Sequence, residues 1–249
     1  MSNNKIKLVA FDLDDCLFNS TNLSEKARIK GIDAMIDLGL RIDREKAIQI
    51  LMEIVDEFGS NFSYHYNYFF RRINHTDDSF NISFDMKYKC IAGAVMAYHK
   101  EKIDSIRLYD DVSEVLTQIN QMNLKMAIIT DGRIIKQYEK VLRLGIDDLI
   151  DYIIVSDEIG IKKPNKKLFE YCLGKARVKS KETIYIGDRL DKDIKPAREL
   201  GIYSVYIHRG GKHDFKHPDV ERSEEIIPDF EINDMRDLIK IIEKLNKTQ

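Results

Sequence analysis

The sequence predicts an α/β fold: a parallel sheet with helices on both faces, interrupted by an inserted α-helical domain. Three observations predict it. Short apolar runs recur without polar alternation, which suits strands covered on both faces. Amphipathic helical stripes lie between those runs, the rhythm of right-handed crossovers. And the segment between the first two runs, about a hundred residues, holds helical stripes alone, too long for a loop.

Taken in order, Ile6–Phe11 reads as the first strand. The inserted domain follows over 18–105. Its stripes are Ala27 through Met35 and Ile36, then Ala47, Ile48, Leu51, Val55 and Phe58, then Ile91, Val95 and Tyr98. Residues 1–17 and 106–249 make the α/β core. There Val112, Val115, Leu116 and Ile119 form a helix with Asp110–Asp111 as its expected N-cap. Leu124–Thr130 is the next strand. Ile135, Tyr138 and Leu142 form a helical stripe ended by Gly145. Tyr152–Val155 is a strand, and Leu168, Phe169, Cys172, Leu173 and Ala176 a helix opened by Pro164–Asn165. Thr183–Gly187 and Tyr203–Ile207 are strands flanking a helix through Ile194, Ala197 and Leu200. Leu238, Ile241, Ile242 and Leu245 form the last helix.

The 249 residues are 33% charged and 43% apolar, a globular composition with net charge −2. No basic excess suggests a nucleic-acid partner. The apolar runs fall far short of the ~20 residues that span a bilayer, and the N-terminal run is too short for a signal peptide. Three scattered cysteines, Cys16, Cys90 and Cys172, fit a reduced, cytoplasmic location.

Chemistry gathers at the strand ends. The first strand runs into Asp12-Leu13-Asp14-Asp15 and the second into Asp131-Gly132 after Thr130. Gly160-Ile161-Lys162-Lys163-Pro164 follows the third, and Gly187-Asp188, with Asp191 and Asp193, closes the fourth. In a parallel sheet these ends share one edge, where open α/β sheets bind ligands. The inserted domain leaves the chain at that edge and is expected to cover it. Clustered carboxylates repel and call for a cation, and a hard, oxygen-seeking ion such as Mg²⁺ suits them. A lysine among them suits a further anion such as phosphate, and a threonine hydroxyl with the N–H groups after it can hold a phosphate oxygen.

The motifs FDLDDCL, AIITDG, GIKKPNKKLF and IYIGDRLDKDI, in that order, resemble the four motifs of the haloacid dehalogenase-like superfamily. The resemblance covers the whole chain and implies a Rossmann-like core with a cap domain between the first two motifs. FDLDD, GSNFSYHYNYFFRR, ITDGR and GDRLDKDI resemble in particular the capped archaeal members described as glyceraldehyde 3-phosphate phosphatases. The resemblance implies Mg²⁺-dependent hydrolysis of a small phosphorylated metabolite. Asp12 would be the nucleophile and Asp14 the acid/base. Mg²⁺ would be held by the Asp12 carboxylate, the Asp14 carbonyl and Asp188, with Asp193 a ligand directly or through water. Thr130 and the N–H groups of Asp131 and Gly132 would hold phosphate, and Lys163 would bridge Asp12 and a phosphate oxygen. A 2-haloacid dehalogenase and a phosphomutase are the alternatives on the same residues. Asp14 speaks against the first, which has no alkoxide to protonate. Capped members occur as monomers and homodimers, and no patch in the sequence decides between them.

Several residues have plainer readings. Asp15 is expected to make the turn or cap the first inserted helix, and Asp191 to N-cap the helix through Ala197. Lys162, not placed directly before the proline, is expected to be solvated. Most aromatics of GSNFSYHYNYFFRRIN, residues 59–74, are expected to pack in the inserted domain, with Arg71 and Arg72 on its rim. HRGGKHDFKH, residues 208–217, reads as a mobile surface loop. Cys16 reads as a packing residue, since nearby carboxylates would raise a thiol's pKa rather than activate it.

Overall fold

The computed structural model describes residues 5–76, 82–211 and 226–247. The chain divides into two compact units. One comprises Met1–Thr21 with Ile106–Gln249, the other Asn22–Ser105.

In the first unit six parallel strands form one sheet: β1 (Leu8–Phe11), β2 (Lys125–Thr130), β3 (Tyr152–Val155), β4 (Thr183–Gly187), β5 (Tyr203–Ile207) and β6 (Phe230–Ile232). Their order is β3-β2-β1-β4-β5-β6. β1 therefore sits at the switch point, with Phe11 level with Ile128 of β2 and Ile186 of β4. Every residue of β1 and β4 is buried, which is why their sequences do not alternate. On one face Leu8, Ala10, Ala127, Ile129 and Tyr185 pack against Leu168, Phe169 and Cys172. β6 was not foreseen: an edge strand of three residues, one of them Glu231, gives no apolar run to read.

Among the described residues four helices span the insertion: α1 (Ser20–Asp37), α2 (Arg44–Phe58), α3 (His65–Thr76) and α4 (Phe84–Ser105). Asp43 caps α2, its side chain accepting from the Lys46 N–H at 2.9 Å. Met35, Leu51, Ile54, Tyr66, Phe69, Phe70, Ile73 and Ala94 make the core of this unit. So Tyr66, Phe69 and Phe70 are packing residues, whereas Tyr64 is exposed and Arg72 pairs with Glu57 at the surface.

The core helices are α5 (Ser113–Gln121), α6 (Ile134–Leu144), the one-turn α7 (Ser156–Ile159), α8 (Lys166–Ala176), α9 (Lys195–Glu199) and α10 (Asp237–Lys247). Asn165 caps α8 and Gly145, at φ 65°, ends α6, both as the sequence predicts. Three expectations are corrected. The N-cap of α5 is Val112, without a side-chain cap bond, because Asp111 instead accepts from Arg209 Nη1 and the Met235 N–H, both at 2.7 Å. Asp191 caps nothing: its carboxylate pairs with the Arg189 guanidinium, and a π-helical turn over Leu190–Ile194 precedes α9. The α6 stripe of Ile135, Tyr138 and Leu142 faces outward, and the buried positions are Gln137 and Val141.

Residues 212–217 of the 208–217 segment lie outside the described residues. Its start is not a free surface loop, since His208 is buried and Arg209 is anchored by Asp111 and by the Cys16 carbonyl at 3.1 Å.

Candidate active site

The parallel sheet brings the ends of β1, β2 and β4 side by side. Asp12 follows β1 directly, and its N–H extends the ladder to the Ile186 carbonyl at 2.8 Å. The side chain of Asp12 is buried at this edge, as are those of Thr130, Lys163 and Asp193. Asp12, Asp188 and Asp193 offer carboxylate oxygens within 4.8 Å of one another. Asp193 can approach because Gly187 lacks a side chain; a Cβ there would collide with its carboxylate.

Lys163 fills the space between the carboxylates. Its Nζ donates to Asp12 Oδ1 at 2.6 Å, to Asp193 Oδ1 at 2.7 Å and to the Tyr185 hydroxyl at 3.3 Å. That hydroxyl donates in turn to Asp193 Oδ1 at 2.9 Å, and the Arg189 N–H donates to Asp193 Oδ2 at 3.1 Å. Lys162 is exposed, as expected. The register of Lys163 is held by its own N–H, which donates to Asp131 Oδ1 at 3.1 Å.

The electrostatics follow from burial. Desolvation opposes a charge on Lys163, but Asp12 and Asp193 outweigh it and raise its pKa, so it stays an ammonium. Desolvation pushes the Asp12 carboxyl up to about 7, helped by Asp193 and opposed by Lys163. Desolvation, then the charges of Asp12 and Asp193, pushes Asp188 well above the carboxylate range. One ammonium against three carboxylates leaves two negative charges over, which one divalent cation balances. The donor set is all carboxylate oxygen, so it fits a hard cation.

Asp14 is turned elsewhere. Both its oxygens accept from Lys140 Nζ at 2.7 Å, and Oδ2 also accepts from Gln137 Nε2 at 3.1 Å. Gln137 Nε2 also donates to Thr130 Oγ1 at 2.5 Å. The Gly132 N–H rests on Ser156 Oγ at 3.2 Å. Asp15 adopts φ 61° and accepts from the N–H and hydroxyl of Thr21 at 2.8 and 2.6 Å, so it both makes the turn and secures the first turn of α1. Cys16 is fully buried, its thiol 3.8 Å from the Ile186 carbonyl. Burial and then Asp12 push its pKa well up, which leaves it inert.

Sequence reasoning missed Tyr185, Gln137 and Lys140. Tyr185 is hidden in the apolar run TIYIG. Gln137 and Lys140 lie in KQYEK, where a helix surface reads as solvated. Their only sequence signal is the spacing of three, which puts them on one side of α6.

The sequence matches the haloacid dehalogenase-like hydrolase family over residues 37–207. The chain belongs to that family. It is 40% identical over 245 residues to the glyceraldehyde 3-phosphate phosphatase of Methanopyrus kandleri, covering 97% of this chain and 99% of that one. It is 39% identical over 242 residues to the protein of the same name from Methanocaldococcus jannaschii, with the same coverage. Among solved structures, a HAD phosphatase from Thermococcus onnurineus superposes with TM-score 0.61 at 24% identity, covering 95% of this chain and 98% of that one. The Bacillus subtilis protein YfnB, solved bound to magnesium, superposes with TM-score 0.64 at 19% identity, covering 96% and 99%. The shared fold of these hydrolases is the α/β sheet described above.

Proposed function

We propose that this hydrolase is a Mg²⁺-dependent phosphatase of a small phosphate monoester, with glyceraldehyde 3-phosphate the first candidate substrate. The observation that carries the reading is the buried contact of Lys163 with Asp12 and Asp193 beside Asp188, next to Thr130 at the end of β2. The names of the relatives at 40% and 39% identity support the substrate class.

In the proposed reaction an Asp12 carboxylate oxygen attacks phosphorus. The bond from phosphorus to the ester oxygen breaks, and its electron pair leaves on that oxygen, which takes a proton from Asp14. An aspartyl phosphate on Asp12 results. Asp14, now a carboxylate, takes a proton from water as the water oxygen attacks phosphorus and the bond to Asp12 breaks. Phosphate is released and both carboxyls are restored. Lys163 keeps Asp12 oriented and offsets the repulsion between a carboxylate and an anionic ester. Thr130 and the N–H groups of Asp131 and Gly132 receive phosphate oxygens, with Gly132 exchanging its bond to Ser156. Mg²⁺, held by Asp12, the Asp14 carbonyl and Asp188 with Asp193 alongside, would supply charge neutralisation for the nucleophile and the phosphoryl group. The unit inserted between the Asp14 and Thr130 motifs is assigned the selection of substrate, from its place in the chain.

The test is a screen of phosphorylated metabolites with Mg²⁺, with and without EDTA, and 2-chloropropionate as the dehalogenase control. Hydrolysis of a small phosphate ester that EDTA abolishes is expected. Full activity in EDTA, or turnover of the chloroacid alone, would contradict it.

A further inference from the structure

The acid/base carboxylate does not stand alone at the site. The Asp14 side chain is gripped from α6, a helix whose buried positions carry a glutamine where its apolar stripe would be expected to pack. Lys140 Nζ lies 2.7 Å from both Asp14 oxygens and so anchors the carboxylate symmetrically, while the Gln137 contact, made to Oδ2 alone, sets its rotation. The lysine is itself placed, with its ammonium 5.9 Å from the centre of the Phe18 ring, and it is only a fifth exposed. Gln137 is buried at 2% exposure, and it uses one amide nitrogen twice. One N–H goes to Asp14 Oδ2 and the other to Thr130 Oγ1. A carboxylate only accepts, so the amide nitrogen rather than its oxygen must face Asp14. The Thr130 hydroxyl therefore accepts from Gln137, and its own hydrogen is left to donate elsewhere. In the structure that hydrogen goes to the Asp131 carbonyl at 3.4 Å, a long bond that a phosphate oxygen could displace.

We propose that Gln137 and Lys140 are positioning residues of the reaction: together they set the Asp14 carboxyl, and Gln137 also turns the Thr130 hydroxyl outward to donate to a phosphate oxygen. One helix face would thus register the proton donor against the phosphate site. The inference rests on the phosphatase reading above and extends it to two residues outside the proposed metal and phosphate ligands.

The leaving group supplies the test. An alkoxide needs a proton as it departs and a nitrophenolate hardly does, so a misplaced acid hurts alkyl esters selectively. The value of kcat/KM is compared for an alkyl phosphate and for p-nitrophenyl phosphate, since it reports the steps up to release of the leaving group. Lys140→Met is expected to lower the alkyl value at least about tenfold more than the aryl value, a small part of the ~10²–10⁴ that acid–base catalysis contributes. Lys140→Arg, which keeps paired donors, is expected to recover most of that selectivity. Gln137→Met is expected to show the same selectivity and also to raise KM for both esters, through Thr130. Equal losses on both esters with Lys140→Met, or no loss on either, would overturn the proposal. Loss of folding would lower both values equally by reducing active enzyme, so the ratio is unaffected by it. If the wild-type protein hydrolyses neither ester with Mg²⁺, the phosphatase reading itself fails. If it hydrolyses both and Asp14→Asn is impaired while Lys140→Met is not, only the positioning role fails.

Discussion

The two units of this molecule bury different things. The inserted unit buries Phe69, Phe70, Met35, Leu51 and Ile54 and, among its described arginines, Arg28 alone, held by the Ser60 carbonyl, while pairs such as Arg72 with Glu57 and Arg44 with Asp33 lie at its surface. The α/β unit buries Asp12, Lys163, Asp193 and Thr130 at its strand ends. Burying an apolar ring stabilises a fold, whereas burying carboxylates costs free energy unless an opposite charge is fixed beside them. The first arrangement stabilises its unit through apolar burial. The second stores unfavourable negative charge, which the proposed divalent cation would relieve.

Variants can break or sharpen that contrast. The largest effect belongs to Asp12→Asn, which should lower Mg²⁺-dependent hydrolysis about 10³-fold or more in steady-state assays. Asp14→Asn should slow turnover strongly, about 10²-fold or more, while phosphate analogues still bind in calorimetry. Lys163→Met leaves two buried carboxylates facing each other. It should cost about 3–5 kcal/mol in denaturant titration and lower activity as well. Phe69→Ala should show the opposite signature: a similar loss of about 3–5 kcal/mol, with activity per folded molecule far less affected. If it instead abolished turnover in folded protein, the inserted ring would be part of the chemistry and the contrast would fail.

A smaller, pH-dependent effect tests the stored charge itself. Asp12 and Asp188 have pKa values raised in the folded protein, so between pH 4 and 7 the fold binds more protons than the unfolded chain. The stability of the metal-free protein attributable to these groups therefore falls as pH rises through about 7. Mg²⁺ should raise Tm more at pH 8 than at pH 5, measured by thermal melts; an equal shift at both would count against the ligand set. The smallest effect is Cys16→Thr, expected to keep activity within about threefold, as suits a buried packing position.

Legibility in the sequence followed the same division. The strands Thr183–Gly187 and Tyr203–Ile207 could be bounded because buried parallel strands are runs of apolar residues. Asp12, Thr130, Lys163 and Asp188 could be picked out because each ends or follows a strand, and sheet topology alone puts those ends together. What escaped needs three-dimensional partners. Gln137 looks like a surface residue until α6 is seen to bury Gln137 and Val141 and to leave Ile135 and Leu142 exposed. The cap expected from Asp111 was lost to Arg209, nearly a hundred residues away in the chain, and the cap expected from Asp191 to its neighbour Arg189. A local hydrogen-bond rule has no means of weighing such competitors. Tyr185 reads as core and is core, yet its hydroxyl serves the charge cluster.

The central claim is that Asp12 carries the phosphoryl group. In Asp14→Asn protein with p-nitrophenyl phosphate and Mg²⁺, the leaving group departs without its acid while the water step lacks its base, so the intermediate should accumulate. Borohydride reduction of the quenched protein, followed by peptide mass spectrometry, should then find the residue at position 12 reduced to homoserine. An unmodified Asp12, or phosphate found on another side chain, would contradict the account.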